Sequence, residues 1–306
     1  MMINNRMKGN VLLLLTAIIW GTSFIATKSG AEALGPFAFN AIRTFIGGIA
    51  LIPVISLLTH RNKTESTRVQ DRKSLLVGGI LCGTALFFAG AFQQIGILYT
   101  SAGKTGFITS LYVVLVPVLQ VFLRKKIKAS LWICVFLAIA GFCILSMPKP
   151  GQVSIGDFLI FIGAFCFAVH IIVIDYYVDK VDSVKMSCIQ FFSCSIAAAI
   201  GMFLIDPLLG FDSLSIENLV NAAFPLLYSG IMACSVAYTL QIVGQKMTES
   251  VVASLILSLE SVFAVISGIL IFNERMNLRE IIGCILIFIA VIAAQLFAEQ
   301  KKDRSI

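Results

Sequence analysis

The chain of 306 residues is 58% hydrophobic and only 13% charged, with a mean hydropathy of +0.97; ordinary globular domains run at roughly 45–50% and 25%. A single water-soluble core cannot hold that much apolar side chain, so part of it must face lipid. The net charge of +7 does not imply a nucleic-acid partner, because of where the charges fall.

Backbone polar groups in hydrocarbon are satisfied only within helices or closed barrels. A barrel would show alternating segments of roughly ten residues, whereas the apolar runs here are unbroken and about twenty long, matching helices across a core of about 30 Å. The fold class is therefore all-α integral membrane, with about ten transmembrane helices. In chain order the predicted spans are 10–29, 37–58, 75–98, 102–123, 130–147, 156–178, 186–207, 220–243, 250–272 and 280–298. Arg6 and Lys8 precede an apolar run from Val11 that lacks a small-x-small cleavage pattern, so it reads as a retained first span. The connections are short, and the longest, 59–74, is polar and basic. They leave no room for a soluble motor, and no phosphate-binding Gly-x-x-x-x-Gly-Lys-Ser/Thr sequence occurs. The eight cysteines sit almost entirely within spans, without a Cys-x-x-Cys pair, and read as small apolar filler.

With the N-terminus placed in the cytoplasm, alternate connections carry 17 Lys and Arg on the inside against 5 on the outside, and Arg43 lies within a span. The positive-inside rule then puts both termini in the cytoplasm, as ten spans require. The basic excess is a topology signal.

The chain also repeats itself. At an offset of 147, Gly9, Leu12, Ala17, Phe45 and Gly83 fall on Gly156, Leu159, Ala164, Phe192 and Gly230. At 148, Gln93 meets Gln241, Thr100 meets Thr248, and Ser110-Leu111 meets Ser258-Leu259. The division this predicts is 1–148 and 149–306, five spans each. Five is odd, so the second half enters the membrane inverted. Inverted repeats characterise secondary transporters, in which two similar halves open a central site to each side in turn.

Trp20-Gly21-Thr22-Ser23-Phe24 with Lys28, Arg43, Tyr99 to Lys104 leading into Tyr112 to Pro117, Ser258-Leu259-Glu260-Ser261-Val262-Phe263, and Asn273-Glu274-Arg275 together resemble EamA-type members of the drug/metabolite transporter superfamily. Ser261 stands where that family's motif has proline, a departure expected to alter local bending. The resemblance spans the whole chain. It implies ten spans as two inverted five-helix repeats, export of amino acids or other small metabolites across the cytoplasmic membrane, and no cofactor.

Ionisable groups within spans are costly and are functional candidates by default. Arg43 has a donor fork suited to a carboxylate, or it ties helix ends together. Glu260, near mid-span, can bind an amine, carry a proton, or pair structurally with Arg43 or Lys28. His170 lines a path or packs through a hydrogen bond. Asp175 reaches headgroups or a basic loop, while Lys28 and Lys104 read as interfacial anchors. Trp20, Gln93, Tyr112, Tyr238 and Gln241 supply aromatic walls and amides for a cavity, or polar glue between helices. Pro117 and Pro225 are expected to kink their spans. The predicted substrate-binding set is Trp20, Arg43, Gln93, Tyr112, His170, Tyr238, Gln241 and Glu260, with no catalytic or metal set. The expected partners are a small-molecule substrate, the bilayer and protons. A pore is the alternative; an intramembrane enzyme would need a nucleophile–base or metal constellation, and neither His-Glu-x-x-His nor Gly-x-Ser-x-Gly occurs.

Overall fold

In the computed structural model, residues 2–61, 72–100, 102–125, 127–146, 154–211, 215–272 and 278–303 are described. All of their regular structure is helical. The first half holds α1 (Met2–Leu34), α2 (Pro36–Arg61), α3 (Arg72–Ile97), α4 (Ala102–Thr109), α5 (Tyr112–Phe122) and α6 (Ala129–Ser146). Then come α7 (Ile155–Tyr177), α8 (Ser183–Leu204), the short α9 (Ile216–Asn221), and α10 (Ala223–Leu227), which runs through a π-helical stretch, Tyr228–Tyr238, into α11 (Thr239–Gln245). The chain closes with α12 (Ser250–Leu257), α13 (Glu260–Phe272) and α14 (Leu278–Asp303).

Eight described helical segments are long and apolar enough to cross a membrane, and two further apolar helices, Ala129–Gly141 and Ile281–Ala294, are shorter. All ten coincide with predicted spans. The spans at 102–123 and 250–272 are not single helices, however. Each is broken near its middle, between α4 and α5 and between α12 and α13. Pro117 does not cause the first break: it lies inside uninterrupted α5, several residues past the gap. Pro225 likewise sits within α10. The Asn273-Glu274-Arg275 motif lies outside the described residues.

Packing does not follow chain order. α1 packs on the 223–245 segment and on α12 and α13; α7 packs on α3, α4 and α5; α2 crosses α8, and α6 lies against α14. Glycines make the tightest crossings. A methyl on Gly9 would lie 3.0 Å from the Gly244 carbonyl oxygen, and one on Gly156 2.5 Å from that of Gly96. One on Gly230 would lie 3.0 Å from the Arg43 carbonyl, and one on Gly83 2.6 Å from that of Gln190. Small residues let backbones approach this closely where lipid supplies no hydrophobic drive.

The N-terminus of α2 follows Gly35, whose φ of +89° is open to glycine at little steric cost. Its free backbone donors are met from far along the chain: Phe37 N donates to Asp206 Oδ1 at 3.1 Å and Ala38 N to Oδ2 at 2.8 Å. Asp206 is wholly buried. Because helix caps contribute about 1–2 kcal/mol, Asp206→Ala is expected to destabilise the protein by at least that much and Asp206→Asn by less. The melting temperatures of the purified variants in detergent check this.

Candidate functional site

On α1, Trp20, Ser23, Phe24 and Thr27 recur at the spacing that puts them on one helix face. α1 is fixed beside the π-helical stretch by side-chain donors: Thr16 Oγ1 donates to Ala237 O at 3.1 Å and Trp20 Nε1 to Ala233 O at 3.1 Å. Each carbonyl has a second lone pair, so these bonds need not break the backbone ladder. The Thr22 and Tyr228 hydroxyls meet at 2.6 Å. The Trp20 and Tyr238 rings lie 4.6 Å apart between centroids at a 58° tilt.

The broken helices meet at their gaps. Ser110 Oγ donates to Gly106 O at 2.9 Å and lies 3.4 Å from both Ser258 O and Glu260 Oε1. Ser258 and Ser261 hydroxyls turn back onto Leu255 O and Ser258 O, the local bonding by which serine competes with helix continuation. The gap starts α13 at Glu260, whose carboxylate sits in the first turn, where the helix dipole favours negative charge. Gly21 of α1 lets this N-terminus come close, since a methyl there would lie 2.6 Å from Glu260 O and 2.5 Å from Phe263 Cβ.

Around this crossing lies a cavity of about 40 Å³, room for roughly three waters at ~10–15 Å³ each. Trp20, Arg43, Gln93, Tyr112, Tyr238 and Glu260 line it, so six of the eight predicted residues converge on one place. Arg43 is buried, its Nε donates to Asn40 Oδ1 at 3.0 Å, and its guanidinium carbon stands 5.5 Å from the Phe39 ring centre. Arg43 also borders the cavity. Glu260, 3% exposed, forms no ion pair with Arg43 or Lys28, so the structural pairing weighed from sequence is not made. Lys28 Nζ instead donates to Thr100 O at 3.0 Å and lies 3.9 Å from Glu32. Ionisable groups in a membrane interior are expensive, and here a guanidinium and a carboxyl group face one space. The Tyr112 hydroxyl is sealed from solvent beside the Glu260 carboxyl group, and Gln93 Nε2 donates to Thr109 Oγ1 at 2.9 Å.

His170 and Gln241 are buried outside this lining. His170 Nε2 is 3.0 Å from Gln190 Oε1, and its ring meets Tyr238 edge-on at 5.7 Å. Its contacts support a cavity wall. Gln241 Oε1 is buried without a partner. Lys104 and Asp175 both enter ion pairs, Lys104 with Asp157 at 2.5 Å and Asp175 with Lys125 at 2.6 Å. The lining also includes Thr27, Thr109 and Phe167, which sequence reasoning did not single out. The helical spacing from Trp20 signals Thr27, and Phe167 stands 147 residues from Trp20, at the repeat offset.

The sequence model of the EamA-like transporter family matches residues 7–147 and again 154–294. The chain belongs to the EamA-like transporter family. An uncharacterized transporter of Archaeoglobus fulgidus is 31% identical over 292 residues, covering 95% of this chain and 87% of that protein. One from Clostridium kluyveri is 27% identical, with 93% and 92% covered, and the uncharacterized transporter YoaV of Bacillus subtilis is 20% identical, with 90% and 92% covered. A crystal structure 16% identical in sequence superimposes with a TM-score of 0.75 over 95% of this chain and 98% of the other, which shows a shared fold. The chain is thus a multi-pass membrane transporter.

If Gly21 sets the approach of α1 to Glu260, Gly21→Ala should overpack this contact and destabilise the protein by about 1–3 kcal/mol. A lowered melting temperature in detergent is the expected readout, with wild-type stability removing Gly21 from that role.

Proposed function

We propose that the chain is a secondary transporter that moves amino acids or other small metabolites outward across the cytoplasmic membrane by alternating access, through the cavity at the crossing of its broken helices. The observation that carries this reading is a basic and an acidic group, Arg43 and Glu260, both buried and lining one cavity without pairing with each other. A ligand bearing a carboxylate and an amine would satisfy both, with the guanidinium fork meeting the carboxylate.

The reading includes ten spans, the eight long helices and the two shorter ones, arranged as inverted repeats of 1–148 and 149–306 with both termini cytoplasmic. Several contact pairs support it, since they repeat at the sequence offset. Gly9–Gly244 corresponds to Gly156–Gly96, and Gly230–Arg43 to Gly83–Gln190. Thr248 Oγ1 reaches Asn10 Oδ1 at 3.2 Å much as Thr100 Oγ1 reaches Asp157 Oδ1 at 3.1 Å. The twofold match of the family model supports it too. Because α1 sides with the 223–245 segment and α7 with α3, the units that move would be these exchanged groups of helices. The cavity holds only about three waters, so substrate entry requires them to part.

Purified protein in proteoliposomes should show saturable counterflow of an amino acid or related metabolite. A non-saturating flux would indicate a pore, and no flux of any small solute would overturn the reading. Arg43→Gln should raise KM at least about tenfold for carboxylate substrates, the scale of one lost charge-assisted contact. Glu260 is the carboxyl group on the cavity lining and the proposed proton carrier, so Glu260→Gln should abolish the pH dependence of counterflow. Unchanged pH dependence would remove it from that role.

A further inference from the structure

A second cavity, of about 340 Å³, lies beyond the central one toward the ends of α5 and α7, within the roughly 300–1,000 Å³ of small-molecule sites. Gln120, Lys125, Lys128, Asp175 and Glu249 line it, and the sealed Ser250 and Val251 close its floor. We propose that it is the cytoplasmic vestibule of the transport path, taking a zwitterionic solute, and that one apolar layer of Val116, Ile171 and Leu255 bars it from the central cavity. The cytoplasmic side and the solute rest on the function proposed above; the alignment of the two cavities does not.

The cavities share their walls. α5 gives Tyr112 to the central cavity and Gln120 to the second, while α7 gives Phe167 and Asp175. Eight residues separate the members of each pair, about 12 Å of helix, a spacing that keeps both on one stripe. The broken span of α12 and α13 does likewise, with Glu260 on the central cavity and Val251 on the second. α5, α7 and α12 also pack pairwise on one another. The two cavities are therefore stacked along one three-helix shaft.

What separates them is thin. Val116 stands four residues from both Tyr112 and Gln120, and Ile171 four from both Phe167 and Asp175. Leu255 stands four past Val251 and five before Glu260. Four residues make one helical turn, so each of the three is a turn or little more from a lining residue of either cavity. All three belong to one packed cluster and are at most 2% exposed. Gln245 Nε2 donates to Ile171 O at 3.1 Å, which fixes α7 at this level. An apolar constriction of this kind stops polar solutes by excluding water.

The second cavity opens away from that layer. Lys125 and Glu249 are exposed at its rim, whereas Gln120 is 7% exposed. Its two lysines are matched by two carboxylates, Glu249 and Asp175, the latter 2.6 Å from Lys125. A balanced lining favours neither sign of net charge. It suits a solute carrying both, as the Arg43 guanidinium and Glu260 carboxyl group do on the other side of the layer.

The test labels cysteines added singly to the full-length chain, using impermeant methanethiosulfonates on either face of oriented membrane vesicles, with the unaltered chain as background. Gln120→Cys should react faster from the cytoplasmic face than from the outer one. After correction for reactivity with a free thiol, cationic and anionic reagents should label it at similar rates. Lys128→Gln should tilt that ratio toward the cation about fivefold, the scale of one close charge in water. Thr27→Cys, on the central cavity, should react slowly from the cytoplasmic face. Ile171→Ala and Leu255→Ala should each speed that reaction about tenfold. Val116→Thr, which keeps the side-chain shape and adds a hydroxyl, should speed it even where the truncated variants fail to fold. Labelling of Gln120→Cys no faster than background, or no faster from the cytoplasmic face than from the outer one, would overturn the vestibule. A strong preference for one sign of reagent would overturn the zwitterion, and unchanged Thr27→Cys rates in the folded barrier variants would overturn the barrier. The expected labelling without counterflow of any solute would overturn the function proposed above and leave the stacked cavities standing.

Discussion

A helix interrupted in hydrocarbon must still satisfy its backbone donors and acceptors, and the rest of this molecule is arranged around two such interruptions. At both, tighter i→i−3 bonds, such as Leu111 N to Ile108 O and Leu259 N to Ile256 O, do so. The interruptions are tolerated because each faces the other. The Ser110 hydroxyl lies against the Ser258 carbonyl, and serine hydroxyls close the ends of the preceding turns. Non-helical backbone at membrane depth survives only where protein or a cavity surrounds it, and here both do. The span that carries the second gap, Ser250–Ser267, is 83% buried, so the weak point sits where lipid does not reach.

The same crossing concentrates cost. Arg43 and Glu260 lie in a space that holds about three waters, neither neutralised by the other. A protein selected for stability alone would replace such ionisable groups with apolar side chains of similar volume. Their surroundings instead hold them in place: Asn40 and Phe39 fix the guanidinium, and the start of α13 with Ser110 fixes the carboxylate. The aromatic wall is supported from behind, His170 and Phe191 packing edge-on against Tyr238.

Much of this was legible in the sequence because its signals were long or repeated. Twenty-residue apolar runs marked the helical segments, and the EamA-like family was readable from short motifs spread over the whole chain. Six residues now lining the cavity were picked out as polar or aromatic groups in apolar surroundings. The breaks were not foreseen. Ser110-Leu111 and Ser258-Leu259 were noticed as matching pairs but not as gaps, since serine interrupts a helix only when tertiary contacts favour its local bonds, whereas proline drew attention, and Pro117 lies in uninterrupted helix. Gln241 was favoured by its match to Gln93 in sequence. Equivalence at the repeat offset did not place both amides on the cavity, since only Gln93 has Thr109 across from it. The pairing of α1 with the 223–245 segment was invisible too, because apolar stripes do not name their partners.

The cap on α2 has a consequence for how the chain is made. Its two bonds join residues 169 and 168 apart in sequence. At about 5–20 residues per second, α2 waits on the order of ten to thirty seconds for Asp206 to leave the ribosome. During that interval the start of the helix can be satisfied only by water or headgroups at the membrane surface. The second helix to be synthesised is thus among the last to be locked, and the early spans pass through the insertion machinery as a loose set, still free to take partners from the half not yet translated.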